Sequence, residues 1–327
     1  MRESENTMYD VTVIGNSVID VLADPFDAEA LARGKREVDQ IRMSFGGDAL
    51  NEAVVLARLG KKVQLISKVG ADEAGHSILT HLKREGVSTD HVIVEEGAAT
   101  SINIALIDTA GGRRFLTDPR SSQRRLGMED VMPLLGETAD IVSFASIFIS
   151  PLFTIEKLKQ LFSLLKAGGK TLVTDMTRPK NGETFEDLRD LFPYIDVFVP
   201  NDEEISLLTG VDDPETNVRM LVEAGVSTAI VKIGSRGCLM GTREGIIHVP
   251  AVPGITCVDT TGAGDTFAAG LIAGLIDGKS MLECAGLGCA AASCSVERVG
   301  ATEGIRSMEQ VMERLGLIGA EHVLSRA

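Results

Sequence analysis

Tryptophan is absent from this chain of 327 residues, tyrosine occurs twice, and aromatic residues make up 4% of the total. Little is therefore available for a base-stacking pocket. Positive charge is also scarce. Against 47 Asp and Glu stand 32 Lys and Arg, a formal net charge of -15, and so acidic a protein is repelled by nucleic acid and by anionic membrane surfaces. Any phosphate site must be local. Long apolar runs are missing too: the longest, residues 141–149, is interrupted by serines and falls far short of the roughly 20 residues that cross a bilayer. The N-terminus, MRESENTMYD, lacks the basic start and apolar run of a signal peptide. Cysteine is an odd five, without a CxxC pair and without histidine at metal-ligand spacing. A reduced, cytoplasmic location is expected.

What is present is a hydrophobic content of 44%, enough for a large core, and a length that suits one α/β domain spanning 1–327. Short β-rich runs at 9–14, 63–66, 141–144, 171–174, 197–199 and 229–233 read as buried strands. Between them lie helical segments such as 49–59, 74–85, 155–166 and 217–223, closed by Gly60, Gly86, Gly168 and Gly225. Such alternation predicts a three-layer α/β/α sandwich with a mostly parallel central sheet. Two stretches break the rhythm, about 21–45 and 92–120, the second with an alternating Ile102, Ile104, Leu106 and a Gly111-Gly112 turn. Packed together they predict a small β-sheet lid.

The sharpest motif is the run DTTGAGDTFAAG, residues 259–270, a turn of small residues leading into an apolar helix. Backbone N–H groups at such a helix start bind an anion, and Gly262, Ala263 and Gly264 let a phosphate approach closely. Asp265 would then stand beside a transferred phosphoryl group, where a modest base suffices. The bland alternative is an early-turn acid favoured by the helix dipole. No lysine follows in the Walker A pattern, and no GxGxxG is present. A second motif, SFGGDALNEA at 44–53, opens another helix with a glycine pair. Asp20, Gly46, Gly47 and Asn51 suit the hydroxyls of a sugar, although each taken singly could be a turn or surface residue.

With these residues in hand, the chain resembles the ribokinase (PfkB) family of carbohydrate kinases over nearly its whole length. The resemblance rests on GGDALNEAVVLARLG followed by SKVGADEAGHSILTHLKREGV, then VPNDEEISLLTG, VKIGSRGCLM and DTTGAGDTFAAG, in family order. It implies that Asp265 is the catalytic base, with the backbone of 262–264 as an anion hole. Asp20, Gly46, Gly47 and Asn51 would hold the phosphate acceptor. Lys232, Gly234, Ser235, Gly237 and Asn201 would bind ATP, and Glu204 would hold Mg²⁺ through water. Asp259, Thr261, Ser295, Arg298, Gly300 and Gly304 would surround a monovalent cation, usually K⁺. A homodimer formed through the lids is implied as well.

Two departures from the family pattern bear on the acceptor. After the mid-chain strand the chain reads Asp175-Met176-Thr177-Arg178, without the expected asparagine, and FLTDPRSSQRR at 115–125 replaces a Gly-Ala-Asn-like triplet. The expected reaction is transfer of the γ-phosphoryl group of ATP to a hydroxymethyl group of a ribose- or fructose-class sugar. A ribonucleoside acceptor is the alternative, with Phe45, Phe115 or Phe148 lining a base site. From other classes come a non-catalytic sugar or nucleotide sensor, which the intact Asp265 turn opposes, and a dehydrogenase, which the missing GxGxxG opposes. Cys284, Cys289 and Cys294, at intervals of five among small residues, are expected to be core rather than ligands.

Overall fold

The computed structural model describes residues 8–26, 38–108 and 113–318. Thirteen strands are found among them: β1 (Val11–Ile14), β2 (Val18–Phe26), β3 (Gln40–Gly46), β4 (Val63–Gly70), β5 (Val92–Glu95), β6 (Ile102–Asp108), β7 (Arg113–Thr117), β8 (Ile141–Ile147), β9 (Thr171–Met176), β10 (Val197–Phe198), β11 (Thr228–Lys232), β12 (Cys238–Thr242) and β13 (Gly245–Val249). The α-helices are α1 (Asp48–Arg58), α2 (Glu73–Arg84), α3 (Met128–Val131), α4 (Ile155–Ala167), α5 (Phe185–Leu188), α6 (Asp202–Thr209), α7 (Pro214–Glu223), α8 (Ala263–Ile276), α9 (Met281–Ser295) and α10 (Met308–Leu315). None is long and apolar enough to cross a membrane.

Nine strands make the central sheet, in the order β13-β12-β11-β10-β9-β8-β1-β4-β5. From β11 to β5 every pairing is parallel, and only β12 and β13 run antiparallel at the edge. Parallel strands need both faces covered, which explains why β1 is apolar throughout save one threonine and buried along its length. One face carries α1, α2, α8, α9 and α10, and the other carries α4, α6 and α7. Within the strands, Thr12 Oγ1 donates to Gln64 Oε1 at 2.6 Å; Lys68 pairs with Asp130 at 2.8 Å.

Helices α8 and α9 lie unusually close because their facing residues are small. A Cβ on Gly270 would stand 2.7 Å from Ala291 Cβ, and one on Gly288 would stand 2.9 Å from the Phe267 ring. The five cysteines are free, and all but Cys257 are buried; Cys284, Cys289 and Cys294 are core residues of this helix pair.

The second sheet has the order β3-β2-β6-β7. It is the small sheet expected from the two irregular stretches, with one correction. Residues 92–95 pair in parallel with β4 and extend the central sheet, because a buried Val92 covers the core there. The Gly111-Gly112 turn lies outside the described residues. Register places Ser44, Asp20, Asn103 and Thr117 in one row across the four strands, and Met43, Val21, Ile104 and Leu116 in the next. Successive residues face opposite sides of a strand, so the polar row lies on one face, beside the buried Leu22 and Ala105, and the row of Met43, Val21, Ile104 and Leu116 lies on the other.

Candidate active site

Helix α8 begins where the glycine turn required it to. Gly262 caps it at φ 68°, a left-handed conformation that favours glycine, and a Cβ there would sit on the carbonyl of Ala301. The first amides of α8 lack intrahelical acceptors. Asp265, in the first turn, accepts a hydrogen bond at 2.7 Å from Asn51 Nδ2, a residue 214 positions away. Withdrawal from water, and then the charge of Asp48, push its carboxyl well above the usual range; Asn51 and Lys232 pull the other way.

The ends of β9 and β11 supply the next pair. Asp175 and Lys232 form a buried ion pair, and the Lys232 ammonium stands 3.1 Å from where a Cβ on Gly264 would project. A side chain at 264 would displace it, so this glycine is needed for the approach of a cation to the helix start. Asp48, the first residue of α1, is raised by burial against a hydrogen bond from Ser146 and the charges of Lys180 and Lys232. Glu52, one turn on, accepts from Ser143 Oγ at 2.6 Å, and burial raises it strongly.

Asn201 and Glu204 meet this cluster from α6. Asn201 is the helix cap, its Oδ1 accepting from the Glu204 amide at 2.8 Å, so only its Nδ2 remains for a ligand. Burial, and then Asp175, push Glu204 up to about 8. The turn after β11 contains Gly234 at φ 61° and Gly237 at φ 95°. Gly234 and Ser235 are exposed, whereas Gly237 is buried against the backbone of Val249 and Ala251. The Gly237 requirement therefore comes from packing on the end of β13.

On the acceptor side, a Cβ on Gly46 would collide with Asp20 Oδ2, and one on Gly47, at φ 97°, would lie 2.7 Å from Asn16 O. Asp20 is a residue of β2. Its Oδ1 accepts from Asn103 Nδ2 at 3.0 Å, while Asn103 Oδ1 accepts from Thr117 Oγ1 at 3.0 Å and Gln123 Nε2 at 3.3 Å. The buried Oδ1 atoms of Asn16 and Asn51 have no hydrogen-bond partner among the described residues. Such orphaned acceptors are costly unless a ligand donates to them.

The loop expected to hold a monovalent cation is also assembled. Asp259 Oδ1 accepts from Thr261 N at 2.9 Å and its Oγ1 at 2.7 Å, and Oδ2 accepts from Gly300 N at 3.0 Å. Arg298 N donates to Ser295 O at 3.2 Å, and Gly304 packs against the backbone of Cys294 and Ser295.

Asp265, 262–264, Asn51, Lys232, Asn201 and Glu204 are thus brought to one edge of the central sheet. Sequence reading missed Asp48, Asn103, Gln123 and the Asp175 pairing. Asp48 was visible within GGDALN, but its burial was not. Asn103 and Gln123 lie in the lid segment, where only register assigns a side chain to a face.

The profile of the pfkB family carbohydrate kinases matches residues 8–308. An uncharacterized sugar kinase of Archaeoglobus fulgidus is 32% identical over 76% of this chain and 97% of its own. A ribokinase of Haemophilus influenzae is 28% identical over 84% and 88%. Among solved structures, an Arabidopsis thaliana ribokinase complexed with ribose and ATP superposes with a TM-score of 0.79 at 24% identity, covering 94% of this chain and 98% of that one. The glycine turn, the three-layer fold and the second sheet thus agree with the profile: the chain belongs to the pfkB family of carbohydrate kinases.

Proposed function

We infer that this sugar kinase transfers the γ-phosphoryl group of ATP to a primary hydroxymethyl group of a small sugar of the ribose or fructose class. The observation that carries the reading is Asp265, held by Asn51 at the start of α8 with its carboxyl raised. A raised carboxyl is a stronger base once ionised, and accepts the hydroxyl proton as the oxygen–phosphorus bond forms. The bond from the γ-phosphorus to the bridging oxygen breaks, and ADP leaves with that electron pair. Amides of 262–264, together with Lys232, stabilise the charge on the transferring group. Asp175 holds the Lys232 ammonium in place.

Asp20 and Asn103 on the lid, with the open acceptors of Asn16 and Asn51, suit sugar hydroxyls as donors. A ribonucleoside is less well served, because Phe45 already stacks on His81 with ring centroids 4.1 Å apart. The side chain of Phe115 lies outside the described residues.

The residues fit Mg²⁺ held mainly by ATP phosphates and water. Among the described residues no cluster of three or more ligating side chains forms a protein cage, and none is needed for such a metal. Glu204, raised beside Asp175, gains a counter-charge when the metal binds through water. K⁺ fits the loop of Asp259, Thr261, Ser295, Arg298, Gly300 and Gly304, whose segments already converge on Asp259; ATP is bound by Lys232, Asn201 and the 234–237 turn.

The partner is a second copy. Ile41, Met43, Ile104 and Leu116 are 68%, 68%, 39% and 58% exposed on the outer face of the lid sheet, and an apolar sheet face of this kind is covered by its equivalent in a homodimer. Five free cysteines suit a reducing, cytoplasmic setting.

The test is ADP release from the purified protein with MgATP and KCl across sugars, sugar derivatives and nucleosides. Acceptor-dependent ADP supports the reading. ATP binding with no acceptor-dependent release across the panel would sink it in favour of a sensor.

A further inference from the structure

One stretch that departs from the family pattern, and the loop just after the other, lead to one place. Arg124, in the short turn after β7, and Lys180, in the loop after β9, line a cavity of about 320 Å³ together with Phe148, Ser150, Phe153 and Thr154. Asp48 links the cavity wall to the cluster around Asp265. Phe148 and Ser150 follow β8 directly, Ser146 of that strand bonds Asp48, and Asp48 lies within electrostatic reach of both Lys180 and Asp265.

The charges of Asp48 and Glu183 favour the Lys180 ammonium, but among the described residues neither cation has a carboxylate in direct contact. Their neighbours find carboxylates: Arg125 pairs with Glu95, Arg120 with Asp118 and Arg178 with Glu203. Among the described residues Arg124 and Lys180 make no salt bridge. Arg124 donates Nη1 to Ile149 O at 2.6 Å and leaves a buried Nε without a partner. Loss of water, and then repulsion by Arg124, lower the Lys180 ammonium to about 8. Glu183 lines the cavity too, but its carboxylate accepts from Lys180 N at 2.9 Å, Asn181 N at 2.8 Å and Asn181 Nδ2 at 2.8 Å. Glu156 is exposed and pairs with neither cation.

Two further features favour an anion. The thirteen-residue helix α4 starts at the cavity, capped by Thr154, whose Oγ1 accepts from Lys157 N at 3.3 Å, and this end of a helix carries positive potential. Phe148 has φ 72°, a conformation rare for an aromatic residue and frequent at ligand sites. An unpaired guanidinium and an ammonium sharing one wall repel each other until an oxyanion lies between them.

We propose that the acceptor is an acidic derivative of a small sugar, with its carboxylate or phosphate group held by Arg124 and Lys180 while its hydroxymethyl oxygen lies at Asp265. The proposal rests on the kinase reading and specifies its substrate. Transfer follows the same proton and bond changes; the anion remains unchanged and only orients the acceptor.

The experiment measures kcat/KM by ADP release for three sets of acceptors: aldonates and 2-ketoaldonates, sugar monophosphates, and neutral ribose and fructose. One anionic set should exceed the neutral set by about 100-fold or more, and which set does so separates a carboxylate from a phosphate. Lys180→Gln and Arg124→Gln should each raise the acceptor KM by about 10- to 100-fold, with the KM for ATP within about twofold of wild type. Lys180→Arg should restore most of the loss. Lys180 lies in a loop and makes no salt bridge among the described residues, so its variants keep the fold even if Arg124→Gln does not. A neutral sugar used at least as well as every anionic one, with Lys180→Gln silent, overturns the proposal and leaves the kinase standing. No turnover of any acceptor overturns both.

Discussion

The two sheets of this molecule obey opposite rules. In the central sheet, apolar residues are turned to both faces and covered by helices, and polar groups inside the strands are bonded to one another, as Thr12 is to Gln64. In the lid sheet the polar row of Asp20, Asn103 and Thr117 is bonded together on one face, while Ile41, Met43, Ile104 and Leu116 face outward uncovered. The contrast separates two tasks. In the proposed reading, one sheet is stabilised by its own helices and carries the phosphoryl-transfer groups, while the other presents hydroxyl-reading groups and leaves its apolar side for a second copy to cover.

The comparison breaks most directly at Asp265. Asp265→Asn should lower kcat by about 10² to 10⁴ while ATP binding, followed by calorimetry, persists. Because the base must be ionised and its carboxyl is raised, kcat/KM in the wild type should fall as pH drops through a value above the ordinary aspartate range of about 4. A pH profile flat down to that range would remove Asp265 from the base role.

On the lid, Asp20→Asn keeps the shape and removes the charge. It should reduce kcat/KM for the acceptor by about 10- to 10³-fold with little change in the KM for ATP. Equal loss for both substrates would mean that the lid row supports the whole site rather than reading the acceptor.

A stability measurement probes the covered sheet. Gly270→Val places a branched side chain against Ala291 and Leu287, and overpacking there should cost about 1–3 kcal/mol in denaturant unfolding. Retained wild-type stability would show that α8 and α9 can separate freely.

The smallest expected change in chemistry is at the outer lid. Met43→Asp, at a position 68% exposed, should shift the protein towards monomer in sedimentation analysis, with activity altered by no more than about tenfold. A variant that sediments like wild type would show that this face is not the contact.

Much of the central sheet was legible because local chemistry and tertiary position agree there. The apolar runs at 63–66 and 141–144 can satisfy themselves only as buried strands, and the glycine turn before Asp265 can only begin a helix. Residues 92–95 were assigned to the lid since four alternating residues do not reveal which neighbour they pair with. Gly237 looked like a ligand-facing glycine, whereas its neighbour is the backbone after β13. Asp48 and Glu52 stand in the motif at a helix start, and burial by elements distant in sequence is what raises them.

By itself the sequence determined the order of strands and helices, the helix start at Gly262, and the family to which the chain belongs, because each depends on residues adjacent in the chain. Only the tertiary structure decided that Asn51 meets Asp265 and that Lys232 pairs with Asp175. It alone brought Arg124, in one atypical segment, and Lys180, just past the other, to one cavity. Those contacts join residues 214, 57 and 56 positions apart, and what places them together is the parallel order of the sheet, which delivers the ends of separate strands to a single edge.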